Sequence, residues 1–213
     1  MNKVNLIITI MVINLLSACG SPKRQPIDNV AGRSTTYIDP GSRGSVSGVG
    51  VESQDILSMT DKMMRSIITS GILEGKAKAP RIIMDSKYFE NQSSQALNKN
   101  LIVDKLRTGL IRSARGRVMF LARQSIGMIE KERQLKRQGT VDQGTIGLTK
   151  ATGGADYRMT GSIKSLDAID RNTGTIQRYT QITFELIDLE YGAIVWSDEF
   201  EFSKFAQDDA IYR

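Results

Sequence analysis

The 213-residue sequence contains no histidine and a single cysteine, Cys19. The lack of histidine excludes a Ser-His-Asp triad, a histidine general base and the usual histidine-containing zinc sites. A lone cysteine excludes an intrachain disulfide, so a folded domain must be stabilised by its core alone. Any catalysis would have to use Asp, Glu, Lys, Ser, Thr or Tyr side chains.

The remaining composition is ordinary for a globular protein, with 40% hydrophobic and 24% charged residues. The net charge is +6 and the isoelectric point is near 9.5, values that could suit nucleic acid or another anionic surface. However, no block of Lys and Arg is interleaved with aromatic residues. We therefore predict that the charge is spread over solvated faces and that nucleic acid is not a partner.

The N-terminus has the pattern of an export signal. A short basic start at Lys3 precedes an apolar run of about 13 residues, 4–16, and small residues then lead to Cys19. A membrane-spanning helix needs about 20 apolar residues, so this run is too short to span. When cysteine follows the cut site, the pattern resembles the bacterial lipoprotein signal. We predict a signal peptide at 1–18 and a lipid on Cys19, with an ordinary signal peptide and a chance cysteine as the alternative.

Residues 19–50 are predicted to form a flexible, disordered tether. Three of the four prolines lie here, together with many Gly, Ser and Thr residues. Such a composition cannot bury enough apolar surface to offset the entropy of ordering the chain. A coil of about 30 residues spans roughly 30 Å on average and about 100 Å when extended. Alternatively, its last part, 45–51, packs on the following domain as an edge strand.

Residues 51–213 are predicted to form one α/β domain with the element order α-β-α-β-α-β-β-β. Apolar residues at spacings of three and four predict helices at about 53–70, 97–115 and 123–138. Alternating or continuous apolar runs predict strands at 81–89, 118–121, 157–166, 176–189 and 194–202. This order indicates a mixed β-sheet with helices packed on it.

Several side chains have predicted positions within these elements. Ser53 is expected to be the N-cap of the first helix and Gly71 its stop. The 118–121 strand is expected to be buried. The first helix also carries methionines that we assign to the core rather than to an adaptable binding face: Met59, Met63 and Met64. One face of the last strand is expected to supply much of the core with four residues: Ile194, Trp196, Phe200 and Phe202.

No motif predicts a catalytic or metal site. Ser162 and Lys164 point the same way on a strand, but no oxyanion feature accompanies them. The run Asp170 to Gly174 resembles a calcium loop only in part and is better explained as a hairpin turn. We therefore predict no enzymatic activity, no catalytic residue, no metal and no cofactor. A hydrolase using two paired carboxylates is the alternative that sequence alone cannot test.

Several short runs within 48–205, together with the lipoprotein signal, resemble one family, the LpoB-like outer-membrane lipoproteins that activate penicillin-binding proteins. The runs are 48–56, 59–64, 120–123, the region of 141–142, 155–161 and 194–202. The resemblance implies an α/β sandwich. It also implies a lipid on Cys19, such as palmitate, that holds the protein in the inner leaflet of the outer membrane, facing the periplasm. Gly20 fits this location, since inner-membrane retention typically uses Asp at that place.

The resemblance further implies a partner and a role. The tether would let the domain pass through the peptidoglycan and dock, as a monomer, on a bifunctional class A penicillin-binding protein. Docking would stimulate glycan polymerisation and crosslinking, and so regulate cell-wall synthesis and cell shape. The residues that contact the partner do not carry over, and the tether is shorter than the long, proline-rich tethers of the best-known members. The alternative is a structural or secretion-associated lipoprotein of the curli-assembly kind, which would need long amphipathic membrane segments.

Overall fold

The computed structural model describes residues 37–39, 48–74, 78–144, 146–147 and 151–207. The predicted signal peptide, Cys19 and most of the predicted tether lie outside these residues. The helices are α1 (Ser53–Thr69), α2 (Lys99–Ala114) and α3 (Ile126–Arg137). The strands are β1 (Arg81–Ile83), β2 (Phe89–Gln92), β3 (Met119–Leu121), β4 (Tyr157–Asp170), β5 (Thr175–Asp188) and β6 (Ile194–Gln207). The predicted α/β class and the mixed sheet are confirmed.

The sheet has the strand order β3-β1-β4-β5-β6. The strand β2 also pairs with β4, at residues 161–164, which follow the residues of β4 that pair with β1. The pairs β1–β3, β1–β4 and β2–β4 are parallel, whereas β4, β5 and β6 form an antiparallel meander. The three long strands can pair by short turns, while the parallel strands are connected through helices. The C-terminal third of the chain therefore builds most of the sheet.

The single strand predicted at 81–89 is wrong, because a 3-10 turn at Ser86–Tyr88 divides it into β1 and β2. Both halves pair with β4, in register Ile82 to Tyr157 and Phe89 to Gly161. Seven residue steps on one side (82 to 89) thus face four steps on the other (157 to 161). The 3-10 turn takes up the excess chain, and the Asp85 carboxylate accepts from the Lys87 amide at its start.

The first helix begins with a reciprocal pair of caps. The N-cap is Glu52 and not the predicted Ser53. The Glu52 carboxylate accepts a hydrogen bond from the backbone amide of Asp55, and the Asp55 carboxylate accepts one from the Glu52 amide at 2.8 Å. Lys204 lies 2.6 Å from the Asp55 carboxylate and donates to the carbonyl of Gly50 at 2.8 Å. One ammonium therefore ties the end of β6 to the start of α1. Glu52 can cap because this cation offsets the charge of two acids.

The core lies between one face of the sheet and the helices α1 and α2. Met59 and Met63 are fully buried there, which confirms their assignment to the core, and Met64 packs half-buried beside them. Sheet residues complete the cluster, and five of them are almost fully buried: Phe89, Ile163, Ile182, Phe184 and Leu186. Gly71 follows α1 with a positive φ of 73°, so the predicted stop is confirmed.

Two predicted burials are wrong. The strand β3 is an edge strand whose Met119 is exposed, because β1 covers only one of its sides. Ile194 is 57% exposed, although Trp196 is buried and Phe200 is half-buried against the core. A register shift at Leu186/Ile187 inserts an extra residue at the start of β6 and turns Ile194 to the other face.

Gly161 marks the closest approach between β2, β4 and β5. A Cβ atom at this position would lie 2.4 Å from the Thr183 carbonyl oxygen and 3.0 Å from the Phe89 ring. We expect Gly161→Ala to lower the free energy of unfolding by about 2 kcal/mol, because overpacking of this size forces the backbone to shift. Urea unfolding will measure the change. Gly127→Ala is the matched control, since no atom lies within 4 Å of its added methyl group, and an equal loss in both variants would contradict the explanation.

At the far end of the β4–β5 hairpin a buried arginine is held by one carboxylate. Arg178 donates to both oxygens of Asp167, at 2.6 and 2.7 Å, and the Ser94 hydroxyl donates to the same carboxylate at 3.1 Å. The hydrogen bonds and positive charge of Arg178 lower the pKa of Asp167 below its ordinary value. The ionised form is therefore stabilised by folding.

This depressed pKa gives a pH-dependent prediction. The pair stabilises the fold fully above the unfolded Asp pKa of about 3.9 and ceases to do so as pH falls through the lower, folded value. We expect Asp167→Asn to cost about 2 kcal/mol at pH 7, because buried Arg178 loses a charged partner. The difference between the variant and the unchanged protein should shrink as the pH falls below 4. Unfolding in urea at pH 7 and at pH 3 checks this, and a pH-independent difference would contradict it.

Candidate functional site

The residues considered for chemistry lie on turns or on open strands. Ser162 and Lys164 share one face of β4, as predicted, and that face is not covered by a helix. Asp170 forms the predicted hairpin turn, where its carboxylate accepts from the Asn172 amide at 2.9 Å, and this bond lowers its pKa. The paired-carboxylate alternative needs a carboxyl group with a raised pKa, and the resolved shifts, at Asp167 and Asp170, are both downward.

Within the described ranges, no group of three or more Cys, Asp or Glu side chains is arranged to hold a metal ion. None of the described helices combines the length and apolar character that crossing a bilayer would require.

The sheet face opposite α1 and α2 carries the side chains that are best placed to meet a partner. Strand register brings these side chains into rows, because residues paired across neighbouring strands point to the same face. We call this surface the open face. Its members are Glu90, Gln92, Arg158, Thr160, Ser162, Lys164, Leu166, Gln177, Tyr179, Gln181, Thr183, Glu185, Ser197, Glu199, Glu201, Ser203 and Phe205.

One end of the open face is apolar. Leu166 is 73% exposed and Phe205 is 71% exposed, and the half-buried ring of Tyr179 lies between their strands. Leu166 is paired directly with Tyr179, while Phe205 is paired with Gln177, one row further along β5. Diagonal neighbours on a sheet are within reach of aromatic side chains. These three side chains, the apolar cluster, form an exposed patch with no covering element among the described residues.

Acidic side chains border the apolar cluster along β6. The Tyr179 hydroxyl donates to Glu201 at 2.6 Å, and the Gln181 amide donates to Glu199 at 2.5 Å. The hydrogen bond and the negative charge of Glu201 raise the pKa of Tyr179, so its hydroxyl stays protonated at neutral pH. Along β5 and β6 the open face carries three glutamates, Glu185, Glu199 and Glu201, and no Lys or Arg, although the whole chain carries a net charge of +6. This face is therefore suited to a basic surface with an apolar pocket.

Helix α3 is a second surface with little cover. None of its residues is buried, and its Arg133 donates to the Ala151 carbonyl at 2.9 Å, while Arg123, in the 3-10 turn just before the helix, donates to the Gly153 carbonyl at 3.0 Å. The predicted helix is confirmed, and its charged face is solvated as expected. It presents Met128 but no aromatic side chain. Since Trp, Tyr and Arg dominate binding energy at protein interfaces, the open face with its aromatic cluster is the stronger candidate for protein docking.

Comparison with known proteins identifies the family. A family model described as peptidoglycan-synthase activator LpoB matches residues 55–202. Among curated protein sequences, none matches the chain. Similar solved structures include the LpoB C-terminal domain from Escherichia coli, which is 15% identical in sequence and has a TM-score of 0.41. The match covers 70% of this chain and 99% of that domain. The same domain from Salmonella enterica has 17% identity, coverage of 69% and 94%, and a TM-score of 0.37.

Proposed function

Because this chain belongs to the LpoB family of peptidoglycan-synthase activators, we propose that it is an outer-membrane lipoprotein that binds a class A penicillin-binding protein and activates it. The family supports an activating role in peptidoglycan synthesis. The proposal adds the anchor, the location and the partner. It is a regulatory role without catalysis, in which the protein contributes a docking surface rather than reacting groups.

The anchor that we propose is a lipid on Cys19, exposed by removal of residues 1–18. Residues 19–50 would form the tether, and residues 51–213 the domain that acts as a monomer in the periplasm. The N-terminal pattern of Lys3, a short apolar run and small residues before Cys19 supports this arrangement. The lipid would limit the domain to partners within the reach of about 30 residues, roughly 100 Å when fully extended.

The docking surface that we propose is the open face. The observation that carries this assignment is the exposed apolar cluster of Leu166, Tyr179 and Phe205 beside the carboxylates Glu199 and Glu201. Interfaces commonly combine a central aromatic anchor with a surrounding polar ring that excludes water. The glutamates would steer a basic partner surface, and the cluster would supply most of the binding energy.

The proposal is tested by capture from envelope extracts. The bait is the chain from residue 19 onward carrying Cys19→Ser so that it stays in solution, referred to below as the soluble form. We expect it to retain a class A penicillin-binding protein, identified by labelling with a fluorescent penicillin. The same bait carrying Phe205→Ala should retain much less. Capture of no class A enzyme from extracts that contain one would contradict the proposed partner.

A further inference from the structure

A cleft opens on the open face, along β4 just before the apolar cluster begins at Leu166. It has a volume of about 420 Å³ and lies over the junction of β2, β4 and β5, beside the 3-10 turn that separates β1 from β2. Its walls come from side chains of all these elements. The lining includes one aromatic side chain, three hydroxyl side chains and four charged side chains: Tyr88, Thr160, Ser162, Thr183, Lys87, Lys164, Glu90 and Glu185. We call it the Tyr88 cleft.

Tyr88 forms an exposed aromatic wall of this cleft. Its side chain is 48% exposed, although the turn that carries it is fixed at both ends by β1 and β2. The guanidinium of Arg158 lies 4.4 Å from the ring centroid and the ammonium of Lys87 lies 5.5 Å from it, and Arg158 is itself paired with Asp85 at 3.5 Å. A cation at this distance attracts the ring and holds it in place. The cleft therefore presents a preorganised aromatic surface.

The polar groups of the cleft are available to a ligand. The side-chain hydroxyls of Thr160, Ser162 and Thr183 line it and make no hydrogen bond with the described part of the protein, so they bond to water or to whatever enters. Strand register sets these hydroxyls on adjacent strands, with Ser162 paired to Thr183 and Thr160 to Glu185. They form a fixed array of donors and acceptors on rigid strands.

The charge of the cleft excludes a strongly charged ligand. Two ammonium groups, Lys87 and Lys164, are balanced by two carboxylates, Glu90 and Glu185. A site for an anion or a cation would carry an excess of the opposite sign. Balanced charges, free hydroxyls and one aromatic wall instead suit a neutral ligand with many hydroxyl groups and an apolar C–H face, because each class of group on the ligand then finds a counterpart.

We propose that the Tyr88 cleft binds carbohydrate, with a sugar ring against Tyr88 and its hydroxyls bonded to the strand side chains. This proposal deepens and rests on the proposed function, because a domain acting at a peptidoglycan synthase works beside glycan strands, which are carbohydrate. Carbohydrate binding would hold the domain next to the polymer, while the adjoining apolar cluster contacts the enzyme.

The test uses the soluble form and two probes, chitotetraose as an N-acetylated sugar chain and maltotetraose as a chain without acetamido groups. Titration followed by amide chemical shifts should move the signals of Thr160, Ser162 and Thr183 with at least one probe. Tyr88→Ala should weaken the affinity at least 10-fold, and Tyr88→Phe should retain it, since the ring remains. Tyr191→Ala is the matched control, because this tyrosine is exposed on the distant β5–β6 turn.

The outcomes separate this proposal from the proposed function. Unmoved cleft signals with both sugars, or equal affinity for the unchanged protein and Tyr88→Ala, would overturn the carbohydrate site. We expect Tyr191→Ala to bind the sugar with the same affinity as the unchanged protein. Stimulation of a class A synthase without sugar binding would refute only the cleft proposal, whereas sugar binding without stimulation would refute only the activator role.

Discussion

Replacing Phe205 with alanine is expected to lower the affinity for a class A penicillin-binding protein at least 30-fold. The reason is that Phe205 is the most exposed aromatic side chain of the open face and stands at its apolar end. Loss of a hot-spot aromatic typically costs about 2 kcal/mol or more, which corresponds to a factor of about 30. Affinity is measured by surface plasmon resonance with the synthase immobilised and the soluble form injected.

The fold itself should not change in this variant. Phe205 is 71% exposed, so its removal leaves no cavity in the core, and the urea midpoint should stay the same. Ile111→Ala is the matched control, because Ile111 is an exposed apolar residue on α2, on the other side of the sheet. Equal loss of affinity in the two variants, or none in Phe205→Ala, would contradict docking through the open face.

Replacing Cys19 with serine is expected to abolish attachment to the outer membrane. A hydroxyl cannot take the lipid through the thioether bond that the lipoprotein pattern implies, and no other cysteine is present. Anchoring by acyl chains depends on buried methylene groups at about 0.8 kcal/mol each, so its loss removes essentially all membrane affinity. In fractionated cells, the protein should move from the outer-membrane fraction to the soluble or unprocessed fraction.

The neighbouring Ser21→Ala variant is the control for this substitution. It alters the chain two residues beyond Cys19 without touching the thiol, so the protein should remain in the membrane fraction. Addition of the soluble form to purified synthase should still stimulate it, because the lipid determines location rather than contact. Retention of Cys19→Ser in the outer-membrane fraction at the original level would contradict lipid anchoring.

The elements that sequence predicted well are those whose pattern is local and repeated. The period-two alternation of β5 placed Ile182, Phe184 and Leu186 on the buried face, and the structure confirms it. The methionine stripe of α1 was equally clear, because Met59 and Met63 recur at helical spacing. In both cases one continuous face is buried along the whole element, so periodicity alone identifies it.

The errors lie where distant pairing overrides a local pattern. The division of 81–89 into two strands depends on how many residues of β4 lie opposite, which only the sheet register reveals. The bulge that turns Ile194 outward is likewise a property of the β5–β6 pair. The N-cap is Glu52 where Ser53 was predicted, because Lys204, about 150 residues later, places a cation beside the acidic side chains at the start of α1. Contacts between residues far apart in sequence leave no local periodic signal.

The candidate site was only partly accessible from sequence. Parity within β6 is a usable signal, since Phe200 and Phe202 face the core at even positions and Phe205 stands at an odd one, but the strand predicted from sequence ended at residue 202. Its importance becomes visible only when pairing sets Tyr179 and Leu166 beside it on a face without helices. The Tyr88 cleft was wholly inaccessible, because its walls come from three strands and a turn that the sequence pattern did not predict.

The central claim is that this chain activates a class A peptidoglycan synthase by direct contact. The most direct measurement is the rate of glycan polymerisation by the purified synthase on its lipid-linked substrate, with increasing amounts of the soluble form. We predict a saturable increase in rate, and a shift of the half-saturating concentration of at least 30-fold for Phe205→Ala. A rate that stays the same at every concentration, with each class A synthase of the organism, would contradict the claim.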